Sequence, residues 1–171
     1  MEKQNNSLAK YTEESLRILL QAIPDPVWLK DPDGAFLACN HRFEKLFGYK
    51  ESEIVGRTDY DFVSKEQADI FRKFDLLAME SGNPSINEEW VTFAEGGHRE
   101  LLETTKIAVF DAQDKLIGVL GISHDITQRK NDELFEKFRS SILELIAGDT
   151  LLPVVLESIV KGVEQLRPEM L

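Results

Sequence analysis

From Ser85 to Ile126, three strand-forming runs follow one another with almost nothing between them. SINEEWVTF and RELLETTKIAVF are separated only by AEGGH, and DAQDK turns the second run into LIGVLGISHDI. Links this short leave no room for the crossover that a parallel pair needs, so the three strands must pair antiparallel. The last run also carries apolar residues on both of its faces. Ile117, Val119, Gly121 and Ser123 share one face, while Leu120 and Ile122 share the other with His124. A sheet with one wet face alternates apolar with polar, so the second face should also be covered, and the helices at the chain ends are the free elements available.

Upstream, PVWLKDPDGAFLACN reads as a hairpin around Asp31-Pro32-Asp33-Gly34, with Pro at the first turn position and Gly supplying positive φ. Asn40 is placed to cap a short helix bearing Phe43, Leu46 and Phe47, with Gly48 as its left-handed stop. YKESEIVG gives a further helical turn. Ser64 and Gln67 form a capping box for a longer helix, on which Ile70, Phe71, Phe74, Leu77 and Ala78 repeat at three and four. Ahead of the hairpin, Leu8, Tyr11, Leu16, Leu19 and Ile23 are close to helical spacing until Pro24 and Pro26 end the run. Two strands, several helices and three strands, with a helix at each end, make an α+β fold: one five-stranded antiparallel sheet with its helices gathered on one face. The boundaries expected are a flanking helix over 1–23, the sheet domain over 24–127, and a connector with further helices over 128–171.

The joint at the end of the last strand is abrupt. Asp125 is placed to cap the following helix, with Gln128 three residues on as a D-x-x-Q box.

Composition excludes several function classes. A net charge of −11 argues against a phosphate-binding surface, hence against nucleic acid, and against an anionic membrane. No apolar run approaches the ~20 residues of a membrane span, and MEKQNNSLAK lacks the apolar stretch of a signal peptide. A cytoplasmic protein is expected. Cys39 is the single cysteine, which rules out an intrachain disulfide and a cysteine-rich zinc site. No phosphate-binding loop, zinc-protease or serine-hydrolase motif occurs. The acidic pairs Asp31/Asp33 and Asp59/Asp61 sit beside turn residues, and His41, His98 and His124 are scattered. No enzyme is indicated and no metal site is assigned.

Several motifs in order resemble a PAS domain, the sensory module of histidine kinases, cyclic-di-GMP enzymes and other signalling proteins. They are PVWLKDPDGAFLACN, the N-x-x-F-x-x-x-x-GY stretch from Asn40 through Phe43 to Tyr49, IVGRTDYDF, EEWVTFAEGGHRELLETTK and the closing Asp125-Ile126-Thr127. The resemblance implies helices enclosing a cavity on one sheet face and dimers formed partly by flanking helices, here through Leu16, Leu19 and Ile23. It implies a signal relay through Asp125, Thr127 and Gln128 into the next helix.

By the family's strand parity, Trp28, Phe36, Trp90, Thr92 and Leu102 point into the cavity. Thr104, Lys106, Val119, Gly121 and Ser123 follow them, and Lys106 would favour an anionic group. The flavin-binding relatives' N-C-R-F-L-Q motif is absent, and SKEQADIFRKFDLLAMES has no histidine for haem, so no cofactor is assigned. An unidentified small ligand and a filled core are the two alternatives for the cavity, and a constitutive dimerisation scaffold is the alternative to a sensor. FRSSILELIAGDTLLPVVLESIVKGVEQLRPEM resembles the opening helices of a GAF domain, with Val155, Ile159, Val163 and Leu166 awaiting a partner. The resemblance implies downstream GAF and effector domains in a two-component or cyclic-di-GMP protein.

Overall fold

The computed structural model describes residues 14–148 and 151–166. The chain divides into two compact units, Met1–Asp125 and Ile126–Leu171. In the first, helix α1 (residues 14–22) leads into strands β1 (Val27–Lys30) and β2 (Phe36–Cys39). Helices α2 (His41–Phe47) and α3 (Glu51–Ile54), a 3-10 turn (Asp59–Asp61) and helix α4 (Lys65–Ser81) follow. Strands β3 (Ser85–Thr92), β4 (Arg99–Phe110) and β5 (Leu116–Asp125) complete the sheet. Its order is β2-β1-β5-β4-β3, and every neighbouring pair is antiparallel. The α+β expectation of a five-stranded antiparallel sheet holds.

Local chemistry explains the boundaries. Asn40, fully buried, accepts from Phe43 N–H at 3.0 Å as the α2 cap and from Val27 N–H at the same distance. Its amide donates to the Asp25 and Ile23 carbonyls, so one side chain joins the end of α1, the start of β1 and α2. Gly48 stops α2 at φ 79°, where a side chain would be strained. Ser64 caps α4 by accepting from Gln67 N–H.

The core of this unit lies on the inner sheet face. Trp28, Phe36, Phe43, Leu46, Ile54 and Leu102 are buried there with Phe93 and Cys39. The aromatic rings stack on and edge into one another, Phe43 on Phe47 at 4.5 Å and Trp28 by Phe43 at 4.9 Å. Such pairs add to the burial of their area.

One expectation about faces needs correction. On α4, Ile70 and Leu77 are exposed, and the buried positions are Ala68, Asp75 and Ala78. The helix turns a stripe containing an aspartate inward because buried lysines receive it, as described below. On the outer sheet face, Ile86, Trp90 and Ile107 stay 40–59% exposed. α1 keeps its own Leu16, Ile18 and Leu19 in solvent as well.

The second unit contains α5 (Thr127–Ala147) and α6 (Leu152–Leu166). They pack closely at Gly162, where any side chain would overlap the Phe138 ring. Val155 is buried and Ile159 half-buried. The side chains of Val163 and Leu166, and the N-terminal Leu8 and Tyr11, lie outside the described residues.

Candidate functional site

A cavity of about 370 Å³ opens between the inner sheet face, α2, the 3-10 turn and α4. Its apolar wall is Trp28, Phe43, Leu46, Phe47, Phe62 and Phe71, and its polar wall includes Lys30, Asp59, Gln67, Glu89, Thr104, Lys106 and Ser123. The sheet register aligns the floor. Trp28 lies beside Gly121 and Gly121 beside Lys106, while Ser123 faces Thr104. A methyl group at Gly121 would overlap the Trp28 indole. The absent side chain is therefore what lets the ring lie flat over β5.

The expected residues divide into three groups. Trp28, Leu102, Thr104, Lys106 and Ser123 line the cavity. Phe36, Val119 and Gly121 are buried in the surrounding core. Trp90 and Thr92 are corrections: both border the cavity, yet they register with Leu101 and Arg99, and both are exposed. The inward residues of β3 are Asn87, Glu89 and Val91, opposite Thr104, Leu102 and Glu100. SINEEWVT offers no apolar alternation to fix its parity, and the pairing with β4 decides it.

The electrostatic centre is a buried quartet. Lys30 Nζ pairs with Asp59 Oδ2 and, at 3.1 Å, with Asp75 Oδ2. Lys106 Nζ lies 2.6 Å from Asp75 Oδ1 and donates to the Phe71 carbonyl at 2.8 Å. All four residues are at most 5% exposed. Burial pushes the Asp59 carboxyl up, against the pull of Lys30, and pushes the Lys106 ammonium down, against Asp75. Lys106, expected to favour an anionic group, thus has its charge already met by Asp75. Thr104 Oγ1 and Ser123 Oγ bond each other at 2.7 Å. Glu89 takes a bond from Asn87 Nδ2 at 3.2 Å, and burial raises its carboxyl pKa.

Sequence reasoning missed Lys30, Asp59, Asp75, Gln67 and Glu89. The available signals were a lysine at an inward position of each of β1 and β4, and an aspartate between Phe71 and Ala78 on the inward stripe of α4. In the sequence Asp59 and Asp61 only sit beside turn residues, which assigns neither a role. Asp61 does accept from Thr58 N–H, while Asp59 turns inward.

At the exit from the sheet, Asp125 is the last residue of β5 and Ile126 holds the N-cap position of α5 without a side-chain cap. Gln128 donates to Asp132 Oδ1 at 2.8 Å.

Among the described residues no helix is long and apolar enough to cross a membrane. The aerobic respiration control sensor protein ArcB of Escherichia coli (strain K12) is 30% identical over 115 residues, 67% of this chain and 15% of ArcB. The methanogenesis regulatory histidine kinase FilI of Methanothrix harundinacea is 28% identical over 154 residues, 89% of this chain and 17% of FilI. The chain therefore spans less than a fifth of the length of these relatives. Among solved structures, the PAS domain of an HTR-like protein from Haloarcula marismortui superposes with a TM-score of 0.57 at 24% identity, over 72% of this chain and 99% of that one. A family model described as the PAS fold matches residues 20–131, the span that holds the sheet, the cavity and the quartet, and the chain belongs to the PAS family.

Proposed function

We propose that this chain is the sensory and dimerising input module of a larger cytoplasmic signal-transduction protein, of the sensor-kinase or cyclic-di-GMP type. The cavity takes a small ligand, and the resulting change passes through Asp125-Ile126-Thr127 into α5. The module has no catalysis of its own, and GAF and effector domains follow it in the full-length protein. Two copies pair through Leu16, Leu19 and Ile23.

One observation carries this reading: Ser123, a residue of the cavity wall, stands two positions before the end of β5, and α5 begins at Thr127. A displacement of the cavity floor reaches the helix through covalent backbone. Filling the cavity should therefore mimic occupancy. Ser123→Leu is expected to change amide hydrogen exchange in the first turns of α5 as well as around the cavity. A change confined to the sheet and α4 would defeat the relay. That result would favour the second reading, a dimerisation scaffold without an input, which the exposed Leu16, Ile18 and Leu19 also support.

A further inference from the structure

The polar groups of the cavity wall specify a ligand class, an inference that rests on the cavity being a ligand site. Both lysines beside it are already neutralised. Lys30 is shared by Asp59 and Asp75, and Lys106 is held by Asp75 and the Phe71 carbonyl. Two cations against two carboxylates leave no charge for an anion to answer. An entering carboxylate or phosphate would give up its hydration and face Glu89 on the same wall.

One buried donor there has no protein partner. Trp28 is 6% exposed, and its Nε1–H makes no hydrogen bond among the described residues. Indole N–H can only donate, and a buried donor normally has an acceptor. The ring is fixed over Gly121, which brings Nε1 above β5 beside the strand pair carrying Ser123 and Thr104. Those two hydroxyls bond each other with one of their two protons, so the second proton is available to a further acceptor. Phe43, Phe47 and Phe62 supply ring faces around them. A volume of about 370 Å³ has room for roughly a dozen water-sized atoms.

We propose that the cavity binds an uncharged, single-ring compound whose carbonyl oxygen or ring nitrogen accepts from Trp28 Nε1–H, with the Thr104–Ser123 pair as the second polar contact. The class is neutral aromatic amides and related heterocycles, rather than the anions that an inward lysine suggests.

Benzamide, benzoate and benzamidine test this, because they share a ring and a planar substituent and differ in charge. Titrations would follow the two indole N–H resonances, assigned by the loss of the Trp28 signal in Trp28→Phe. Benzamide is expected to shift the Trp28 resonance and to bind about tenfold more tightly than either charged analogue. Trp28→Phe keeps the ring and removes the donor, and should weaken benzamide about tenfold. Amide spectra would verify that the variant keeps the fold. Tighter binding of benzoate or benzamidine would overturn the neutral class, and saturation by benzamide without a Trp28 shift would overturn the assigned donor. If none of the three moves any cavity resonance, the cavity is not a small-ring site and the ligand-binding reading falls with it.

Discussion

Cys39 stands at the end of β2 with no accessible surface, and its backbone N–H donates to Glu51 Oε1 at 3.1 Å. Burial, reinforced by the carboxylates of Glu51 and Glu44, pushes its thiol from 9.0 up to about 12. The folded protein therefore keeps this proton at pH values where the unfolded chain has released it. The stabilisation is complete below about pH 9 and is lost as pH rises through about 12. At pH 8 the thiolate fraction should be about a thousandfold lower in the folded than in the unfolded chain. Iodoacetamide is thus expected to leave native Cys39 unlabelled and to label it promptly in urea. Rapid labelling of the native protein would mean that β2 opens readily or that the thiol is not buried. At this scale the sequence was informative wherever a side chain acts on its neighbours in the chain: Asn40, Gly48 and Ser64 do what their local context dictates.

Among the elements, α4 shows where local reading stops. Its apolar repeat points to Ile70 and Leu77, yet the helix docks through Asp75, whose partners are Lys30 and Lys106. Lys30 and Asp75 are separated by 45 residues along the chain, and no periodicity within one segment reports such a pairing. The parity of β3 was hidden for a related reason, since only its register with β4 distinguishes Glu89 from Trp90. The quartet makes α4 docking a coupled property. Asp75→Leu should cost about 3–5 kcal/mol, because it leaves Lys106 buried without a carboxylate, and Lys106→Met should cost less, because Asp75 keeps Lys30. The double substitution should cost less than the two together by about 1–3 kcal/mol, read from urea unfolding. Additive losses would show that the two side chains do not sense each other.

For the whole molecule, the meander, the hairpins and the PAS resemblance were legible because short links and turn residues leave few topologies open. The cavity's charge balance was not, because it depends on four elements meeting. The assembly is the remaining question at this scale. Leu16, Ile18 and Leu19 are 61–64% exposed on α1, an apolar stripe that two copies would bury by symmetric pairing. Deleting residues 1–23 is expected to move the protein from dimer to monomer in light scattering at micromolar concentration. A deletion variant that remains dimeric would place the interface on another surface, with the exposed Ile86, Trp90 and Ile107 of the outer sheet as the next candidates.

The quartet has one more consequence. Mobile ions weaken exposed charge pairs but reach buried ones far less, and these four side chains are almost wholly removed from solvent. The acidic exterior of this protein will respond to every change in ionic strength, whereas the field inside the cavity will hold nearly constant. On the proposed reading, a ligand in the cavity would meet a field that salt hardly moves.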